Sequence, residues 1–101
     1  MQAIQILTTG GPDVLTLRDL PTPTPGPGEA LVRLEASGVN YIDIYFREGR
    51  YPAQLPYTLG QEASGTVVAV GEGVTSVKAG DRVAWCAIPG TYAQMAVAPA
   101  N

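Results

Sequence analysis

Alternating apolar and polar residues in the stretch EALVRLEASGVN (residues 29–40) predict a β-strand with one buried face. Four apolar residues share one face of this segment: Ala30, Val32, Leu34 and Ala36. Arg33 and Glu35 lie on the other face. Because side chains point alternately to the two faces of a strand, this period of two is typical of a half-buried strand.

Five further segments, separated by glycine and proline, predict the remaining strands. They cover residues 3–7, 14–20, 64–71, 82–88 and 91–99. In the first of them, Ile4 and Ile6 fall on one face with Gln5 between them. The proline-rich segment PTPTPGPG (residues 21–28) cannot be helical, since proline removes backbone donors and holds the chain extended. We interpret it as a connector within one domain.

The segment NYIDIYFREGRYP is the only one with the pattern of a helix. Ile42, Tyr45 and Phe46 recur at helical spacing, and Gly49 ends the pattern. Asn40 is a suitable N-cap for a helix of two turns. Six short strands and one helix, without alternation of strands and helices, favour a mostly-β barrel or sandwich over a parallel sheet.

Length and charge restrict the class of protein. The chain has 101 residues, enough for one domain, and 46% of them are apolar. Its net charge is −3, and its six basic residues are scattered rather than arranged in the stripe that nucleic-acid binding requires. Neither a signal peptide nor an apolar run long enough to cross a bilayer is present in the sequence. We therefore expect a soluble, cytoplasmic protein that binds neither nucleic acid nor membranes.

The inventory of cysteine and histidine excludes several chemistries. The chain has no histidine and a single cysteine, Cys86, so Ser/His and Cys/His nucleophile pairs are ruled out. A tetrahedral zinc site would need carboxylates alone, and we therefore expect no metal. Cys86 lies in the apolar segment VAWCAI, and we predict that it packs in the core. Trp85 points to the opposite face, and one of the two is expected to pack inward.

The stretch LGQEASGTVVAVGEGV (residues 59–74) has the glycine content of a phosphate-binding loop. Gly71 and Gly73 form a G-x-G, but Ser76 occupies the third glycine position and no helix follows. A dinucleotide fingerprint requires both. We interpret Gly71 and Gly73 as turn residues with positive φ. Gln61 and Glu62 are adjacent and point to opposite faces of a strand, which disfavours a metal site.

The segment GQEASGTVVAVGEGVTSVKAGDRV (residues 60–83) resembles the G-H-E-x-x-G-x-V-x-x-V-G … G-D-R-V signature of the medium-chain dehydrogenase/reductase superfamily. Gln61 stands where this signature has histidine. In the upstream segment GVNYID, Asn40 stands where zinc alcohol dehydrogenases have a catalytic cysteine. Loss of both zinc ligands is the pattern of the zinc-free quinone oxidoreductases, the zeta-crystallin-like branch. GGPDVLTL, GVNYIDIYFREGRYP and LPYTLGQEASGTV also resemble that branch.

The resemblance implies a fold, a cofactor and a reaction. Residues 1–101 correspond to the GroES-like catalytic domain, a partly open β-barrel with one short helix. The Rossmann domain that binds NADPH in such enzymes is not among these residues. The family reaction passes a hydride from NADPH to a quinone or another electron-poor carbonyl. We expect the 101 residues alone neither to bind NADPH tightly nor to reduce quinones.

The resemblance also assigns the site residues. Asn40 would lie beside the nicotinamide and donate to the quinone carbonyl, although an N-cap role alone would also explain it. Tyr45 and Tyr51 would line the quinone pocket, although Tyr45 could simply pack on the core face of the helix. Asp43, in the first helical turn, needs no role beyond its interaction with the helix dipole, but it and Glu62 are assigned a supporting role around the site.

A second hypothesis is a standalone or engineered GroES-like barrel that acts as a structural or assembly module. The length fits, but no segment resembles the hydrophobic mobile loop with which a co-chaperonin docks. A heptameric ring in solution would favour this hypothesis. In either case an incomplete barrel exposes strand edges and apolar surface, so we expect self-association or pairing with the Rossmann domain.

Overall fold

Antiparallel strands dominate the fold. The computed structural model describes residues 1–100, and within them seven strands, one α-helix and one 3₁₀ turn form. The strands are β1 (Gln2–Ile6), β2 (Thr16–Asp19), β3 (Glu29–Ser37), β4 (Tyr57–Thr58), β5 (Glu62–Val70), β6 (Arg82–Cys86) and β7 (Met95–Pro99). The helix α1 spans Tyr41–Glu48, and the 3₁₀ turn spans Pro12–Val14. The sequence predicted α1 but not the 3₁₀ turn or the two-residue β4.

The strands form two sheets that meet along one segment. The first sheet has the order β2-β1-β4, and the second has the order β6-β5-β3-β7, with every pair antiparallel. Between the sheets, the Ile4 N–H donates to the Tyr92 carbonyl (2.8 Å), and the Leu34 N–H donates to the Gln94 carbonyl (2.9 Å). Residues 92–94 therefore join the sheets on one side. The predicted mostly-β class, without a parallel sheet, is confirmed.

Strand β3 departs from the predicted alternation. Its register against β5 shifts between Leu31 and Val32 and again between Leu34 and Ala36. Leu31 is buried together with Val32, whereas Ala36 is exposed. The first shift leaves the extra residue in β5, so Ala30 and Val32 stay on one face. The second leaves Glu35 unpaired in β3, and Ala36 beyond it is exposed, so the prediction that Ala36 continues the buried face was wrong.

The buried core on the four-stranded sheet is small and made largely of short side chains. Ala30, Val32 and Val67 are its buried centre, and Val83 and Trp85 pack against it. Cys86 is exposed, so the prediction that it packs in the core was wrong. Strand β6 presents Val83 and Trp85 to the inner face, and its period of two therefore turns Cys86 outward. The expectation that one of the two neighbours packs inward is confirmed by Trp85.

Helix α1 begins and ends where the sequence predicts. Asn40 is the N-cap, in an extended conformation, and Gly49 is the C-cap, in the left-handed region at φ 87°. Of the two glycines predicted to have positive φ, Gly73 does (81°) but Gly71 does not. A side chain on Gly71 would collide with the backbone carbonyl of Gly26, so that glycine is required by close approach instead. No helix formed by residues 1–100 has both the length and the hydropathy needed to cross a membrane.

Candidate active site

Asn40 lies at the amino end of α1, and its side chain is exposed. Its backbone N–H donates to the Asp43 carboxylate, with 3.0 Å between Asn40 N and Asp43 Oδ2. The Asp43 N–H in turn donates to the Asn40 carbonyl at 3.0 Å. These reciprocal bonds satisfy donors that a helix start otherwise leaves free. They fix the backbone from which the Asn40 amide projects.

Asp43 is the buried residue of α1, with 4% of its surface exposed. Its Oδ2 accepts from the Asn40 N–H and also from the Tyr92 hydroxyl, at 2.7 Å. Its Oδ1 is buried and has no hydrogen-bond partner among residues 1–100. The sequence placed this carboxylate in the first turn, where the helix dipole favours it, but did not predict its burial.

Tyr92 was not predicted as a site residue, because nothing local in TYAQMAVAP distinguishes it from a strand residue. Its backbone is held on two sides, by Ile4 and by a bond from the Tyr92 N–H to the Leu59 carbonyl (2.8 Å). Burial first, and then the hydrogen bond and charge of Asp43, raise the pKa of the Tyr92 hydroxyl well above its ordinary value. The hydroxyl therefore stays a donor to Asp43 at neutral pH.

Asn40, Asp43 and Tyr92 line one cavity of about 140 Å³. The other lining residues are Leu15, Val39, Ile44, Arg47 and Leu59. Arg47 is fixed there by a bond from its Nε to the Gly10 carbonyl at 3.1 Å. The cavity thus combines apolar walls with an amide, a carboxylate, a hydroxyl and a guanidinium group. Convergent polar groups of this kind orient ligands in small-molecule sites, but at about 140 Å³ the cavity is smaller than the ~300 Å³ at which such sites begin.

Tyr45 and Tyr51 contact each other in an aromatic cluster at the carboxyl end of α1. Their ring centroids are 5.7 Å apart in an edge arrangement, and Tyr51 also contacts Phe46 edge-on at 5.6 Å. The Arg50 guanidinium lies 5.4 Å from the centroid of the Tyr45 ring. Tyr51 is 47% exposed, so the cluster has an open face. The structure therefore brings the two predicted tyrosines together, but they do not line the cavity of Asn40.

Gln61 stands where the medium-chain dehydrogenase/reductase signature has histidine. Its Nε2 donates to the Tyr57 hydroxyl at 3.2 Å, and the Tyr57 ring stacks on Phe46. Burial raises the pKa of Tyr57; the Gln61 hydrogen bond opposes this rise, and the charge of Asp43 adds to it. Gln61 is thus used to hold a tyrosine next to the aromatic cluster.

Glu62 begins β5 and is exposed. Its carbonyl accepts from the Gly38 N–H at 3.1 Å, and its side chain covers Gly38 so closely that a side chain there would collide with it. It is not among the residues lining the cavity of Asn40.

Within residues 1–100, no group of three or more histidine, cysteine, aspartate or glutamate side chains converges as metal ligands would.

Comparison with known proteins gives consistent relatives. The chain is 50% identical over 96 residues to a quinone oxidoreductase of Pseudomonas aeruginosa, covering 93% of this chain and 30% of that protein. It matches the structure of Escherichia coli quinone oxidoreductase complexed with NADPH at a TM-score of 0.93 and 39% identity, over 96% of this chain and 30% of the other. It also matches the structure of a mycobacterial protein complexed with NADPH, with a TM-score of 0.94 and 51% sequence identity. That match covers 99% of this chain and 32% of the other.

The chain therefore spans about a third of the length of these relatives. Its fold agrees with theirs over nearly all of its own residues. The Alcohol dehydrogenase GroES-like domain matches residues 26–101, three quarters of the chain. This protein belongs to the alcohol dehydrogenase GroES-like domain family.

Proposed function

We propose that residues 1–101 form the acceptor-side catalytic domain of an NADPH-dependent quinone reductase. The observation that carries this proposal is the exposed Asn40 at a helix start, whose backbone N–H is bonded to the buried Asp43 carboxylate. The chain's 50% identity to the Pseudomonas aeruginosa quinone oxidoreductase supports the choice of acceptor.

Asn40 would stabilise the charge that develops on the acceptor. Its side-chain amide can donate to a quinone oxygen, and the amino end of α1 adds a positive electrostatic contribution at the same place. Asp43 holds the Asn40 backbone N–H at 3.0 Å, so the backbone that carries the donor is placed before the acceptor arrives. Pre-oriented donors avoid the cost of reorganisation during the reaction.

Tyr45 and Tyr51 would bind the planar acceptor. Their edge contact at 5.7 Å leaves Tyr51 about half exposed, so one ring remains available for stacking. Arg50, against the Tyr45 ring, restricts how that ring can turn. Glu62, which packs over Gly38 two residues before Asn40, would support the segment that leads to the helix.

The described residues fit the nicotinamide end of NADPH and not its phosphates. Asn40 offers an exposed amide that would hold the carboxamide edge. When bound, NADPH supplies the hydride for the reduction. A phosphate cradle of the strand–glycine turn–helix kind is not found in residues 1–100. We therefore assign the phosphates to a separate Rossmann domain outside residues 1–101, which would pair with this one.

The reaction proposed here does not depend on zinc. The chain has no histidine, and its single cysteine, Cys86, is exposed at the end of β6, opposite Glu62 of β5. Amide groups at positions 40 and 61 are poor ligands for zinc, which prefers thiolate and imidazole.

The test is a chimera in which residues 1–101 replace the matching part of the Pseudomonas aeruginosa relative. We expect it to oxidise NADPH with 1,4-benzoquinone, and Asn40→Ala to lower kcat/KM for the quinone about 100-fold, as loss of one oriented donor does. Tyr41→Phe is the control, since Tyr41 is 78% exposed on the adjacent position. Full activity of Asn40→Ala would contradict the proposal. NADPH oxidation by the 101 residues alone, at the rate of the chimera, would contradict the two-domain assignment.

A further inference from the structure

We propose that Tyr92 is a positioning residue for Asn40 and acts through Asp43. This inference rests on the proposed function, because it concerns how the Asn40 amide is oriented. It adds a residue that no local sequence pattern distinguishes.

Two hydrogen bonds connect Tyr92 to Asn40 through a single oxygen atom. Asp43 Oδ2 accepts from the Tyr92 hydroxyl at 2.7 Å and from the Asn40 N–H at 3.0 Å. With Oδ1 unpartnered among residues 1–100, these two donors carry the hydrogen bonding of the carboxylate. A buried carboxylate depends strongly on each of its donors, since water cannot replace one without entering the site.

Tyr92 itself is fixed by the sheets rather than by the helix. Its N–H donates to the Leu59 carbonyl and its carbonyl accepts from the Ile4 N–H, each at 2.8 Å. Gly60 leaves room for the Tyr92 ring, because a side chain at position 60 would overlap it. The hydroxyl therefore transmits the position of the sheet to the first turn of α1.

Before α1 the chain is restrained at Gly38, two residues from Asn40, because the Gly38 N–H donates to the Glu62 carbonyl at 3.1 Å. Val39 and Tyr41, which flank Asn40, are 83% and 78% exposed. The aromatic cluster and Arg47 restrain the carboxyl half of the helix, at Tyr45 and beyond. Loss of the Tyr92 hydroxyl would therefore shift or loosen the backbone at Asn40 while the rest of the helix stays docked.

The test combines NMR on the 101-residue chain with kinetics on the chimera. In Tyr92→Phe we expect the backbone N–H proton resonance of Asn40 to move upfield. We also expect the hydrogen exchange of this N–H to speed up at least ~10-fold, because its charge-assisted bond to Asp43 weakens. In the chimera we expect kcat to fall ~10-fold with the KM for NADPH unchanged, since misplacement of a catalytic group acts on the transition state. Tyr57→Phe is the matched control: it removes a part-buried hydroxyl bonded to Gln61, and should leave the Asn40 amide in place.

The outcomes separate this inference from the proposed function. If Tyr92→Phe folds and the backbone N–H resonance of Asn40 does not move, the inference is overturned. The inference is also overturned if this resonance moves but the kcat of the Tyr92→Phe chimera is unchanged, provided that Asn40→Ala lowers the activity. If Asn40→Ala is fully active, the proposed function fails instead, and the amide shift alone decides whether Tyr92 positions Asn40. If Tyr92→Phe does not fold, a crystal structure of the unsubstituted chain decides. A distance from Tyr92 Oη to Asp43 Oδ2 beyond about 3.5 Å in that structure overturns the inference.

Discussion

Tyr92 keeps its proton to higher pH in the folded chain than in the unfolded chain. Burial and the neighbouring Asp43 raise its pKa above the ordinary 10.0, and the pKa of Tyr57 is raised as well. Below pH ~10 both states carry the proton, and the stabilisation is fully present. Above that pH the unfolded state ionises first, so the free energy of unfolding falls as pH rises.

We therefore expect urea midpoints to fall as the pH rises above about 10, and to fall less steeply in Tyr92→Phe. The substitution removes the ionisable hydroxyl but keeps the ring, so the difference in slope isolates the contribution of Tyr92. Parallel pH profiles for the two proteins would contradict this expectation.

Residues whose role depends on local sequence could be predicted, and residues whose role depends on distant contacts could not. Asn40 and Asp43 are three positions apart, and capping geometry follows from that spacing. Tyr92 reaches Asp43 across 49 positions of the chain, and only the fold brings them together. Cys86 was misplaced because an apolar neighbourhood in the sequence does not say which face of an edge strand is inward.

At the scale of elements, the segment that links β4 to β5 sets the position of Tyr92. The Tyr92 N–H donates to the Leu59 carbonyl at 2.8 Å, and the Gly90 N–H donates to the Gly60 carbonyl at 3.0 Å. Gly60 has a φ of 98° and no space for a side chain against Thr91 and Tyr92. Two independent requirements for glycine therefore coincide at this position.

We expect Gly60→Ala to lower the free energy of unfolding by about 3 kcal/mol, from backbone strain together with overpacking. Gly73→Ala is the matched control, with a φ of 81° and no atom within 4 Å of the new carbon. It should cost only the strain, about 1 kcal/mol. Urea denaturation of both variants measures the difference, and equal losses would show that the contact with Tyr92 is unimportant.

The elements themselves were predicted unevenly for a physical reason. Helix α1 carries its own start and stop signals, Asn40 and Gly49, and its bounds were correct. Strand β3 begins with clear alternation, but its bulge at Glu35 arises from pairing with β5, where Leu34 lies opposite Gly65, 31 positions along the chain. The inward set of side chains beyond Leu34 was therefore not predictable from β3 alone.

At the scale of the whole molecule, the mostly-β class followed from short apolar segments punctuated by glycine and proline. The strand order did not follow, because it depends on which edges meet after folding. Residues 92–94 join the two sheets, whereas β2 ends one sheet and β6 ends the other. The outer backbone edges of these terminal strands are unpaired within their sheets, and such edges are what the expected self-association requires.

Strand β2 offers the more apolar of these edges to a second copy of the chain. Leu17 on β2 is 63% exposed and Leu15 just before it is 41% exposed, while the backbone of β2 pairs on one side only, with β1. We expect the average mass from light scattering to rise above 10.5 kDa as concentration increases. Leu17→Lys should suppress this rise, because a charged side chain disfavours edge-to-edge pairing. Thr22→Lys is the control, since it adds the same charge at an exposed position of the proline-rich connector and should leave association unchanged. A constant mass of 10.5 kDa at every concentration would mean that the β2 edge is already protected in the monomer.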